Sequence, residues 1–280
     1  MLHTIRRDLS NLEIKYVDNN YIFIPPILFA VVEIMIFFMW GFDTTLLVAL
    51  PLILFLILSF LFHLYRKLAK DLEEERRQNQ ALMSLHHFLN LRYPLPSMSH
   101  WAAFPELGIT IIEYCRLIKP KFILEAGSGV SSIISCYCLE ENGGGKFLSL
   151  DHDKDYSQQT NEQIKNHKLS SIGSVVHSPL ETYEIDSKLW KWYNLSGYTG
   201  ENKIDLLIID GPPEKTQTHA RYPALPLLHK HLSKEAVIIL DDAGRKSESE
   251  IIQKWLKLYP EFNLIYKPSK KGIAVLKRNA

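Results

Sequence analysis

Between Lys121 and Ser132 the chain reads KFILEAGSGVSS: an apolar run, a carboxylate, two glycines around a serine, and small residues that open a helix. No other stretch constrains the fold as much. A strand ending in a tight turn under a helix N-terminus aims backbone N–H groups and the helix dipole at a polar or anionic ligand. Gly127 and Gly129 permit backbone angles and a close approach that a side chain would forbid. Glu125, read as the last residue of the strand, is an acceptor for a ligand hydroxyl or ammonium.

A glycine turn of this kind is common by itself; the order of the later strands makes it specific. A second apolar strand, Phe147 to Leu150, ends in Asp151, about 24 residues beyond Gly127, where a nucleotide-binding fold carries the carboxylate that holds a ribose. A third strand is read at Ser174 to His177. A fourth and a fifth, Ile204 to Ile209 and Ala236 to Leu240, end in Asp210 and in Asp241 with Asp242. In a parallel sheet these ends share one edge, so the acidic residues converge on one crevice. Helices are expected at Pro105 to Ile118, Val130 to Glu140, Asp155 to His167, about Gln217 to His231, and Ser247 to Tyr259. The face of the first is read as Leu107, Ile111, Ile112 and Leu117. Two strands, Phe262 to Tyr266 and Ile273 to Lys277, close the chain around a Lys-Pro-Ser-Lys-Lys-Gly turn.

The run ILEAGSGVSS, the acidic LSLDHD, IDGPP after the fourth strand and ILDD after the fifth together resemble class I S-adenosylmethionine-dependent methyltransferases. The likeness covers roughly Pro94 to Lys277. It is closer to bacterial O-methyltransferases in which a DGPP loop, here Asp210 to Pro213, precedes an R-Y-P-A-L-P segment, here Arg221 to Pro226. The resemblance implies a Rossmann-like α/β fold with a seven-stranded sheet whose last strand is antiparallel. It also implies an enzyme that methylates a hydroxyl. By the same resemblance, Glu125, Gly127, Ser128, Gly129 and Ser131 would hold the methionine part of S-adenosylmethionine, with Asp210 bordering the cofactor, and Asp151 would bind the ribose hydroxyls.

Some O-methyltransferases of this fold hold Mg²⁺ on carboxylates after the fourth and fifth strands. Asp210, Asp241 and Asp242 have the hard oxygen ligands that Mg²⁺ prefers. Strand-end aspartates also cap helices or bind the cofactor's amine, and both readings stay open. A base must take the hydroxyl proton; His219, just after DGPP, and Asp210 are the candidates. Arg221 is read either as an anion-binding residue or as an ion-pair partner of Asp242 or Glu214. Trp101 and the cluster Tyr183, Trp190, Trp192, Tyr193 are read either as pocket lining or as core. Two other classes of function remain: a degenerate cofactor-binding domain in a membrane assembly, and another transferase on the same scaffold.

The first third of the chain differs in kind. Tyr21 to Trp40 is apolar with Glu33 as its single charged residue, GFDT follows, and Thr45 to Tyr65 is apolar again. Each run as a helix is about 30 Å long at ~1.5 Å per residue, enough to cross a bilayer. The expectation is a transmembrane hairpin over residues 21–65, after a polar segment 1–20. Arg66, Lys67, Lys70, Arg76 and Arg77 follow the second run at once while GFDT has no cation, so both ends face the cytoplasm of an inner or plasma membrane. Glu33 lies near mid-bilayer and invites a functional or partner-helix role.

Residues 66–92 read as a linker helix, with Leu68, Leu72, Leu82, Leu85 and Leu89, that packs on the domain or on a second copy, so a homo-oligomer is compatible with it. Tyr93-Pro94-Leu95-Pro96 opens the methyltransferase domain, 93–280. With Lys plus Arg at 32 against Asp plus Glu at 31, nothing argues for nucleic acid. Three cysteines without metal spacing suit a reducing compartment. The acceptor class left by these readings is a small molecule, a glycan or a lipid-linked compound.

Overall fold

The computed structural model describes residues 31, 34–35, 37–39, 42–98 and 104–278. The N-terminal segment, most of the first apolar run including Glu33, and Trp101 lie outside the described residues. The chain divides into two compact units, Met1–Glu75 and Arg76–Ala280.

In the first unit, Val31, Ile34, Met35 and Phe37 to Met39 are helical and exposed. Helix α1, Phe42–Phe88, then runs without a break through the division between the units. Phe42 to Thr44, expected as part of a loop, belong to this helix, and the expected linker helix is its continuation. Pro51 lies inside this helix without ending it. Leu54, Phe55, Leu58, Leu61 and Phe62 are all more than half exposed. The stretch from Ala49 is long and apolar enough to span a bilayer, with mean hydropathy 1.9 in its best window.

The second unit is a three-layer α/β domain. The end of α1 belongs to it, and Leu85 and Leu89 are buried there against Gly108 and its neighbours. In chain order follow α2 (Pro105–Ile118), β1 (Phe122–Ala126), α3 (Val130–Glu141), β2 (Lys146–Asp151), α4 (Lys154–Asn166), β3 (Gly173–His177), β4 (Leu180–Ile185), β5 (Lys188–Tyr193), β6 (Ile204–Ile209), α5 (Ala224–Leu228), β7 (Leu232–Leu240), α6 (Lys246–Leu258), β8 (Phe262–Lys267) and β9 (Ile273–Arg278). The main sheet has the order β3-β2-β1-β6-β7-β9-β8, with β9 antiparallel to both neighbours. The Rossmann-like seven-stranded sheet with an antiparallel last strand is therefore present.

Every residue of β1 is buried, and so are Leu206 to Ile209 on β6, as parallel strands covered on both faces require. On α2, Leu117 points to solvent at 63% exposure, so the buried face is carried by Leu107, Ile111 and Ile112.

Two differences from the sequence reading lie between β3 and β7. The connection after β3 is a hairpin, β4–β5, forming its own two-stranded sheet around Asp186 and Ser187, both at positive φ. That conformation at both turn positions suits the right-handed twist of the paired strands. The expected helix over Gln217 to His231 is reduced to α5 and the 3₁₀ turn His229–His231, and a further 3₁₀ turn, Glu214–Thr216, precedes it. His219 sits at φ 56, outside the helical region, and Pro223 has no N–H to continue a ladder.

The glycine turn is held from below. The N–H of Gly129 donates to Ser132 Oγ at 3.1 Å, and Ser132 Oγ donates in turn to Glu125, whose side chain is fully buried. Burial, the largest influence, pushes the Glu125 carboxyl up from 4.5 to about 7 against the hydrogen bonds of Ser131 and Ser132. A raised carboxyl pKa stabilises the fold fully below the unfolded value and loses that contribution as pH rises through about 7. Glu125→Gln cannot ionise. In thermal unfolding of the purified full chain from pH 5 to pH 8, the variant should gain on the wild type with rising pH, by up to about 3 kcal/mol. A wild-type-minus-variant difference that is flat with pH contradicts this assignment.

Candidate active site

The sheet order reverses at β1, which has β2 on one side and β6 on the other. At such a switch point in an open α/β sheet a crevice forms outside the carboxyl ends of the strands. A cavity of about 700 Å³ lies there. Gly127 and Ser128 from the β1 turn, Asp151 from β2, and Asp210 and Gly211 from β6 line it, together with Asp242 from β7.

The turns after β1 and β6 touch. A Cβ on Gly127, at φ +95, would meet the Gly211 nitrogen at 3.1 Å and the Asp210 carbonyl carbon at 3.2 Å. On Gly211 it would fall 2.1 Å from the Tyr193 hydroxyl. Both glycines are thus required by close approach, and Tyr193 reaches the cavity from the end of the β4–β5 hairpin.

Asp151 is locked to the glycine turn. The N–H and the hydroxyl of Ser128 donate to its Oδ2 at 2.9 and 2.6 Å, and the N–H of Asp153 donates to Oδ1 at 3.0 Å. Asp153 itself caps α4, accepting from the N–H groups of Asp155 and Tyr156. A carboxylate fixed at a cavity wall, with acceptor capacity beyond these bonds, matches the hydroxyl pair of a ribose. Gly127 lines the cavity with backbone alone, with no side chain in the way of a cofactor's chain. Asp151, Gly127 and Ser128 therefore fit S-adenosylmethionine.

Other residues named from the sequence stand apart from the cavity. Glu125 lies beneath the turn, on Ser132. Gly129 and Ser131 open α3, Ser131 being buried, with its carbonyl taken by Ser135 Oγ. His219 is tied to α6: one ring nitrogen is 2.6 Å from Glu250 and the other 3.2 Å from Lys254. Neither nitrogen is open to a hydroxyl in the cavity, because the left-handed turn at His219 directs the ring to the helix.

Asp210, Asp241 and Asp242 do meet, one oxygen of each lying within 4.8 Å of the others. The cation they face is Arg221, 3% exposed. Its Nη2 is 2.7 Å from Asp242 Oδ2 and 3.4 Å from Asp210 Oδ1, and its Nη1 donates to the Asp241 carbonyl at 2.7 Å. Its Nε lies 3.9 Å from buried Glu248. Burial opposes the guanidinium's charge, but Asp210, Asp242, Asp241 and Glu248 outweigh it and raise its pKa. Asp242 also pairs with Arg245 at 3.0 Å and Lys271 at 3.5 Å. Burial first, then Asp241, raises the Asp210 carboxyl well above its ordinary value; burial and Asp242 push Asp241 up to about 6.

Arg221 already meets these acids: its repulsion of a divalent ion, roughly 8 kcal/mol at about 4 Å and an effective dielectric near 20, opposes the attraction of the three carboxylates.

Sequence reasoning misses Arg245, Lys271 and Glu248 at this site. Lys271 sits in what reads as an ordinary turn. It reaches the site because the N–H groups of Ala243 and Gly244 donate to the carbonyls of Gly272 and Lys271, pinning the β8–β9 turn to the end of β7.

Residues 124–243 match a family model described as a methyltransferase domain. No curated protein matches the chain. Among solved structures, a Klebsiella pneumoniae protein described as an O-methyltransferase is similar at 18% identity and TM-score 0.49, over 72% of this chain and 90% of that one. A Bacillus cereus O-methyltransferase in complex with S-adenosylhomocysteine (SAH) is similar at 16% and 0.49, over the same shares. An SAH-bound methyltransferase of Podospora anserina is similar at 16% and 0.47, over 71% and 88%. The family match, the strand order and the glycine turn facing Asp151 agree: the chain carries a methyltransferase domain over residues 124–243.

Proposed function

We propose that the protein is a membrane-attached O-methyltransferase acting on a hydroxyl of a small-molecule, glycan or lipid-linked acceptor. The observation that carries the reading is that Asp151, held by Ser128, shares one cavity with Asp210 and Arg221. S-Adenosylmethionine, when bound, supplies an electrophilic methyl group. Asp151 would accept from its ribose hydroxyls, and Gly127 with Ser128 would hold its methionine part.

Asp210 is the base in this reading. It lies on the cavity wall, 21% exposed, with a proton affinity raised toward the working range of a general base. Arg221 keeps the neighbouring carboxylates in place. No step passes through a metal.

Membrane attachment is supported by the apolar length of α1 and by Arg66, Lys67 and Lys70 directly after its apolar part. In the full proposal residues 21–65 form two spans and the catalytic unit is cytoplasmic. An acceptor held at the membrane surface suits such an anchor.

Calorimetric titration with SAH tests the cofactor site: Asp151→Ala should bind at least about tenfold more weakly than the wild type, from the loss of charge-assisted hydrogen bonds. Unchanged affinity removes Asp151 from the site. For the acceptor, membranes of the expressing cell are incubated with enzyme and S-adenosyl-[methyl-³H]methionine. Label should enter organic-extractable material as an alkali-stable methyl ether, and label found in protein or nucleic acid contradicts the reading. The base must be deprotonated to act, so transfer should fall as pH drops through an Asp210 pKa lying above the ordinary carboxylate range. An acidic limb at or below that range excludes Asp210.

A further inference from the structure

We propose that Arg221 is the resident cation of the acceptor end of the cavity, standing where metal-dependent O-methyltransferases of this fold hold a divalent ion. The proposal rests on the reading of that end as the acceptor's, and it makes this enzyme independent of Mg²⁺.

Three observations converge. First, the guanidinium makes the contacts a metal would make. It faces the side chains of Asp210 and Asp242 at 3.4 and 2.7 Å, and it takes the carbonyls of Asp210 and Asp241 at 3.1 and 2.7 Å. Second, it is built in rather than draped from the surface. Arg221 is 3% exposed, and the N–H of Ala224 closes onto its carbonyl at 3.2 Å at the start of α5. Tyr222 beside it is fixed by Trp255, whose indole N–H donates to the Tyr222 carbonyl at 3.0 Å. Third, Glu248 at 1% exposure supplies a further buried carboxylate at the Nε of Arg221, whereas the aspartate side chains meet its Nη2. It is a counter-charge that a guanidinium uses and that lies outside the three-aspartate set.

A planar guanidinium presents several donors at once and stays charged at any working pH, so it can hold carboxylates at fixed spacing as an ion does. It differs in one respect: it has no exchangeable water and cannot bind two substrate oxygens as an octahedral ion can. Arg221 is accordingly a positioning residue for Asp210 and Asp242. Arg245 and Lys271, each within 3.5 Å of Asp242, add to the positive charge that already meets these acids.

The test is Mn²⁺ binding to the purified full chain in detergent, read by loss of the free-ion paramagnetic resonance signal, with circular dichroism to verify folding. It needs no turnover, so its outcome is separate from that of the methyl-transfer reading. The wild type should leave Mn²⁺ free at millimolar concentration. Arg221→Ala, which opens the acidic set, should bind it at least about tenfold more tightly, and Arg221→Lys, which keeps the charge, should not. Wild-type binding that Asp242→Asn abolishes would overturn the proposal, as would a folded Arg221→Ala chain with no gain. Should Arg221→Ala fail to fold, the wild-type and Arg221→Lys arms decide: Mn²⁺ left free by both upholds the assignment, and uptake by either refutes it.

Discussion

Carboxylates gathered at the end of a parallel sheet repel one another, and the guanidinium of Arg221 is what lets four of them stay close. Asp210, Asp241, Asp242 and Glu248 come from three separate elements, and each is held within reach of one cation that solvent barely touches. Removing one partner of a buried ionic group leaves uncompensated charge, typically at a cost of about 3–5 kcal/mol. The shape of this end of the cavity therefore depends on this residue. Asp242 takes its place from Arg221, Arg245 and Lys271 together, and Asp210 keeps a side exposed to the cavity.

The opposite end of the cavity rests on contacts of another kind. There the glycine turn, Asp151 and Ser128 form a closed set of hydrogen bonds, and the backbone approach between Gly127 and Gly211 leaves no space for a side chain. Hydrogen bonds running from the end of one strand to the next tie the edge together: Gly127 to Leu150, Asp210 to Ala126, Asp241 to Ile209. The β4–β5 hairpin adds Tyr193 under Gly211, and Gln217 bonds to both the N–H and the carbonyl of Lys191, so the DGPP loop is held against the hairpin.

The parts of this architecture that are legible in the sequence are those with a local signature. The strand ends, the glycine turn and the apolar runs of β1, β6 and β7 follow from patterns within a dozen residues, and the meeting of the acids follows from parallel topology. Helix α2 is readable from Pro105 to Ile118 for the same reason. The rest depends on distant partners. His219 looks available because no neighbour in sequence occupies it; Glu250 and Lys254, which do, belong to α6. The helix expected from Gln217 fails on conformation at His219 and on Pro223. The hairpin is hidden because LETYEI and KLWKWY read as an aromatic-rich connection rather than as two alternating strands around a two-residue turn. The sequence offers Arg221 as an ion-pair partner of Asp242, and that pair is present; that the same guanidinium also meets Asp210, the Asp241 carbonyl and Glu248 is visible only in three dimensions.

The central claim is that one rim of the sheet accepts the cofactor with its nucleoside at Asp151 and its sulfur toward Asp210 and Arg221. The most direct measurement is an experimentally determined structure of the full chain bound to S-adenosylhomocysteine. The account requires both ribose hydroxyls within about 3 Å of the Asp151 carboxylate and the sulfur on the side of Asp210. A ligand lodged elsewhere, or turned so that its ribose leaves Asp151 untouched, would contradict it.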